Sequence, residues 1–287
     1  MTDRLVIVTL IVAVVAGARG TWSPCGLSMV SAINPLAERG RGYRYWLTAV
    51  WFVAGAVAGG ALLGAVAAMA AWPAHALPAR ALLGSLGCLF ALACDCKLGW
   101  FRLPIHPRQV NERWLTQYRR WLYASGFGFQ IGTGFATYIM TAATYLVVLL
   151  ALLTGSPGWA FAAGLTFGLV RGAAVLLSSR CRTPESLRAL HLTLDRLEPA
   201  SRRAVVMVEA VAAGALAAAD QNFVPALAGI LALVVVGTLV AMSAQPFAAR
   251  WNTFRADPTG PRMVRPQSRG RRIGGRRTAP QPTGKAG

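Results

Sequence analysis

The residues of this chain that could do chemistry are five cysteines and a few charges set inside apolar runs. Cys25 follows Ser23 and Pro24 in the stretch RGTWSPCGLSMVSAINP, residues 19–35. Pro24 lacks an N–H and its ring clashes with the preceding turn, so it bends the helix and frees carbonyls near residues 20–21. Inside lipid, freed carbonyls must be satisfied by protein or water. The bend is therefore expected to face a polar cavity. Cys25 would point into that cavity, and Arg19, Trp22 and Ser23 would line it. Gln130, Thr133 and Thr137, followed by Thr141 and Thr144, give a second polar row for the same cavity. Thr in a membrane helix often bonds its own backbone, so that row also reads as plain helix chemistry. Arg171 and Glu209 fall at matching predicted depths in two different segments. The favoured reading is an ion pair joining two helices; the alternative is a proton or ion relay. His75, His106 and His191 lie apart in loops, so no metal site is expected. No Ser-His-Asp arrangement, nucleotide-binding loop or paired carboxylate is present, and no cofactor is expected.

The elements that must position these residues are membrane helices. Of 287 residues, 55% are hydrophobic and only 14% charged, against about 25% charged in soluble domains. The apolar residues fall in runs near the roughly 20 residues that cross a bilayer. We read spans at about 5–33, 45–71, 80–99, 121–153, 158–179, 203–219 and 222–244. They form a membrane domain over 1–249, followed by a basic, disordered tail over 250–287. Ala16-Gly17-Ala18 also resembles a signal-peptide cleavage site. Cleavage would leave fifteen residues of the first span, about 22 Å, too short to cross. An uncleaved, broken first helix is the better reading.

Net charge is +19, and the arginines gather in alternate loops. Segments 38–44, 97–120, 180–203 and the tail are basic, while 72–79, 154–159 and 220–222 carry no Lys or Arg. The positive-inside rule then places the N-terminus outside and the C-terminus in the cytoplasm of a plasma membrane. The tail is expected to contact anionic lipid, with nucleic acid the less favoured partner. Arginine and alanine richness with only two lysines, Lys97 and Lys285, fits a GC-rich bacterial genome.

Segments one and four are the longest, and both are interrupted by glycine, in GARGTWSPCG and GFGFQIGTG. Segments two and five share a Gly-x-x-x-Gly spacing, over 53–60 and 162–169. That spacing is common in plain helix packing. Interrupted segments in corresponding positions also mark inverted repeats around a binding site. The expected fold is an all-α membrane bundle, a six-helix inverted-repeat core plus one C-terminal helix.

The motif SPCGLSMVSAINPL, the basic loop after it and the glycine-rich fourth segment resemble the cytochrome c biogenesis CcdA / DsbD transmembrane family. The resemblance covers about the first 180 residues and is strongest over 17–65. It implies thiol-based transfer of reducing equivalents across the membrane, with Cys25 as the redox thiol, Pro24 shaping its site and a thioredoxin-like partner. The fourth segment departs from that family. It has no cysteine, and Ala136 or Thr137 stands where the partner thiol would be. Two alternatives stand beside the conduit: a carrier with a cavity between spans one and four, and a membrane subunit without turnover.

Overall fold

The computed structural model describes residues 2–77, 79–96 and 117–218. All regular structure among them is helical, with no strand. In chain order the helices are α1 (Thr2–Arg19), α2 (Pro24–Ala32), α3 (Pro35–Gly40), α4 (Tyr45–Ala74), α5 (Arg80–Asp95), α6 (Arg120–Thr133), α7 (Ala143–Leu153), α8 (Pro157–Ala173) and α9 (Pro184–Ala217). The segments read at 222–244 and 250–287 lie outside the described residues.

A polar residue followed by proline starts four of these helices: Ser23-Pro24, Asn34-Pro35, Ser156-Pro157 and Thr183-Pro184. Proline at the first helical position loses nothing, since that N–H has no partner in a helix anyway. Ser23, Asn34 and Thr183 each accept a backbone N–H from the first turn. Such caps are worth about 0.5–2 kcal/mol.

Segment one is a broken helix, as the reading of Pro24 expects. It ends at Arg19, makes a 3-10 turn over Gly20–Trp22 and restarts at Pro24. The carbonyl that Pro24 cannot bond is that of Gly20. It is closed locally, by the Ser23 hydroxyl at 2.6 Å and the Ser23 N–H at 3.1 Å. No polar cavity is needed to satisfy it, contrary to the expectation from the proline alone.

Segment four breaks too. α6 ends at Gly134, whose φ of +75° suits glycine, and regular helix resumes at Ala143. The start of α7 is held by Asp95, at the end of α5. Its carboxylate accepts the Ala142 N–H at 2.7 Å and the Thr141 hydroxyl. At the opposite end of the same pair, Arg80 donates to the Thr154 carbonyl at 3.1 Å. Thus α5 and α7 lie antiparallel and are tied at both ends.

Helix α4 packs on α6 and α8 through small residues. A Cβ added to Gly128 or Gly132 would collide with the carbonyls of Phe52 and Ala56, and one on Gly60 with that of Gly164. These Gly-x-x-x-Gly spacings therefore act by close packing. The residue pairs make α4 parallel to α6 and antiparallel to α8.

Helix α9 differs most from expectation. The region read as a loop over 180–203 is helical from Pro184, and the helix continues through Pro199 to Ala217. It runs antiparallel to α1 and α5. Leu5 and Val12 of α1, Leu92 of α5, Leu150 of α7 and Leu216 of α9 share one apolar cluster. Among the described residues, three helices are long and apolar enough to cross a membrane: Asp3–Trp22, Tyr45–Ala74 and Pro157–Arg180.

Candidate functional site

Arg171 stands where the two broken segments meet. It lies near the C-terminal end of α8 and is 4% exposed. Its Nη2 donates to Thr137 Oγ1 at 3.3 Å, inside the break between α6 and α7. Its guanidinium carbon is 5.5 Å from the centre of the Phe167 ring. The other break is equally close: a Cβ on Gly20 would come within 2.6 Å of Arg171 Nε. A side chain at Gly20 would force the Arg171 side chain to move. Nε itself has no hydrogen-bond partner among the described residues.

Glu209 does not pair with it. Glu209 is 1% exposed, and neither of its carboxyl oxygens has a hydrogen-bond partner among the described residues. The ion pair expected between Arg171 and Glu209 is thus not formed. The two sit in different packing environments, Arg171 at the breaks and Glu209 on α9 toward α5.

Arg19 has its own partner. It binds Glu198 Oε1 at 2.7 Å and Ser201 Oγ at 2.7 Å, and its guanidinium lies 5.9 Å from the centre of the Trp22 ring. Trp22 Nε1 donates to the Leu194 carbonyl at 2.8 Å. These contacts join the end of α1 to α9. They explain why an arginine follows an apolar run: the candidate span ends at Trp22. Its charged partner in this structure is Glu198, not Glu209.

Of the other residues expected to line a cavity, Ser23, Thr133 and Thr137 bond to protein. Ser23 caps α2 by accepting from the Gly26 N–H at 3.0 Å. Thr133 donates to the Gln130 carbonyl at 2.9 Å. Thr137 is fully buried against Arg171. Cys25 is buried at the second position of α2, directly after Pro24. Cys88, Cys94 and Cys181 are free thiols. Burial pushes the Cys181 thiol above its ordinary value, and its sulfur lies 3.8 Å from the Ser186 carbonyl. Among the described residues, no group of His, Cys, Asp or Glu is arranged to hold a metal.

Three acids that organise this region receive no weight in the sequence reading: Glu38, Asp95 and Glu198. Glu38 is fully buried just before α4. It accepts from Arg41 at 2.7 Å, Thr48 at 2.6 Å and the Tyr123 hydroxyl at 3.0 Å to each oxygen. A signal was available for Glu198: Ser201 lies three residues on, so both share one helical face. Placing 180–203 in a loop hides that face.

The fold and this region define a helical protein whose broken apolar segments are closed by buried polar contacts. More particularly, five curated relatives match the chain, and all carry the name methylamine utilization protein MauF. The protein from Paracoccus denitrificans is 29% identical over 166 residues, covering 55% of this chain and 59% of that one. That from Paracoccus versutus is 29% identical over 167 residues, covering 55% and 60%. That from Methylophilus methylotrophus is 28% identical over 155 residues, covering 51% and 53%. The matches thus span between half and three fifths of these relatives. No family model matches the chain, and no solved structure does.

These names overturn the resemblance to CcdA and DsbD, and with it the thiol conduit through Cys25. The carrier and subunit alternatives draw no support from them either.

Proposed function

We propose that this chain is a membrane-embedded protein of methylamine utilisation. The observation that carries the reading is the single name shared by all five relatives.

The packing supports a multi-pass arrangement. The directions of contacting helices alternate along the chain. α1 is antiparallel to α9 and parallel to α8; α8 and α6 run opposite and alongside α4; α5 opposes both α7 and α9. Six apolar segments crossing in turn produce this pattern. The contacts also respect an exchange of segments one to three with four to six. Segments two and five meet as α4 and α8, and segments one and four are the two that break. An inverted repeat accounts for both features.

Aromatic side chains support the same reading. Trp46, Trp51 and Trp121 are exposed near the starts of α4 and α6; Trp72 and Trp159 are exposed at the other end. Trp51 and Trp72 are separated along α4 by about 31 Å at the helical rise per residue. That is close to the roughly 30 Å hydrocarbon core, and tryptophan favours its two borders. Between them Leu62, Val66 and Met69 face outward, as lipid-facing residues do. We assign the chain to the cytoplasmic membrane, with the N-terminus outside and 250–287 as a cytoplasmic tail.

Deleting the chain from a strain that carries it tests the assignment. Growth with methylamine as sole nitrogen source should stop, growth on ammonium should continue, and the intact chain should restore the first. Unchanged growth on methylamine would overturn the assignment. Release of the protein from membranes by alkaline carbonate would overturn the embedding.

A further inference from the structure

Glu209 is a buried acid whose two carboxyl oxygens have no hydrogen-bond partner among the described residues. It lies on the seam between α5 and α9, and that seam is fastened on both sides of it. Toward the end of α9, Ser85 Oγ donates to the Ala213 carbonyl at 2.9 Å, one turn from Glu209. Toward its start, Arg202 donates to the Asp95 carbonyl at 3.3 Å, two turns away. The apolar cluster around this seam draws Cys88 and Leu92 from α5, Leu5, Val8 and Val12 from α1, and Leu146 and Leu150 from α7.

No cation from these elements reaches the carboxyl. On α5 the titratable groups that interact with it are Cys88, Cys94 and Asp95, none of which is a cation. On α1, Arg19 is held by Glu198 and Ser201. On α7, Tyr145 stacks edge-on to Phe135. On α9 itself, Arg202 is turned to the Asp95 backbone. Arg171 is bonded to Thr137. Among the described residues a carboxylate here has neither counter-charge nor donor, which costs far more than burying the neutral acid.

We propose that Glu209 is a proton-binding site. Its carboxyl carries a proton while the seam between α5 and α9 is closed. The site differs from the Arg171 junction and does not depend on a role in methylamine utilisation.

Infrared difference spectroscopy on the full chain in lipid membranes tests this at neutral pH. Glu209→Gln keeps the shape of the neutral acid. It should remove one carbonyl-stretch band of a protonated carboxylic acid, whereas Asp95→Asn should leave that band in place. Survival of the band in Glu209→Gln, or loss of carboxylate bands instead, would overturn the proposal. Should Glu209→Gln not fold, the unmutated chain decides. A membrane-soluble carbodiimide adds across a protonated carboxyl, whose proton moves to nitrogen as the new C–O bond forms, and the adduct rearranges to a stable N-acylurea. Peptide mass mapping should find that adduct on Glu209. Adducts confined to other acids would refute it.

Discussion

Arg19 shows what residue types alone can and cannot decide. Its position behind an apolar run is plain in the sequence, and so is its need for a partner. The partner, Glu198, lies 179 residues away and meets it only because α9 is helical from Pro184. Long-range pairing of that kind leaves no periodic trace. The pair is nearly buried, at 6% and 14% exposure, so removing either member strands the other charge. We expect Arg19→Leu and Glu198→Gln to couple, with an interaction energy of about 0.5–3 kcal/mol in detergent unfolding. Arg171→Leu and Glu209→Gln should instead add to within about 0.5 kcal/mol, the behaviour of sites without shared partners. Strong coupling in this second pair would mean that the two charges meet. Glu38 is a sharper case, because Glu38→Ala leaves Arg41, Thr48 and Tyr123 without their common acceptor. Breaking a buried charge pair costs about 3–5 kcal/mol, and the unfolding midpoint should fall accordingly.

At the scale of elements, the breaks in segments one and four were legible because glycine and proline write them directly. What closes them was not. The sequence suggested water in a cavity, whereas Ser23 closes the first break and Asp95 the second. The extent of α9 was hidden for a related reason. Pro199, Arg202 and Arg203 read as loop residues, yet α9 runs through all three, with Pro199 removing one N–H bond and bending the helix. The Gly-x-x-x-Gly spacings carried their ordinary meaning, and their partners are now specific. Gly164→Leu should push α8 away from α4, since even a Cβ there collides with the Gly64 backbone. Overpacking of this kind costs about 1–3 kcal/mol or more. Gly158→Ala supplies the contrast. Nothing lies within 4 Å of its added Cβ, so thermal stability should hold or rise slightly, as helix propensity favours alanine. Equal losses from both substitutions would contradict the packing assignment of α4 against α8.

For the whole molecule, the proposed crossing pattern rests on two independent lines. Arginine alternates between loops in the sequence, and helix direction alternates in the packing. Exposed Arg39, Arg44, Arg119, Arg180 and Arg182 all border the same ends of α4, α6, α8 and α9. That end should face the cytoplasm under the positive-inside rule. The two lines could have disagreed, since loop charge does not determine which helices touch. A direct measurement joins them. Fusions to a phosphatase active only outside the membrane should be active after Pro157 and inactive after Thr183. The sequence extends the series to positions beyond the described residues: inactive after Arg108, active after Gln221 and inactive after Pro266. Activity after Thr183 would require the start of α9 to lie outside, which its antiparallel contact with α1 forbids if the N-terminus is outside. Both ends would then have to be reassigned together. Activity after Pro266 alone would leave the six-segment packing intact and remove only the crossing read at 222–244.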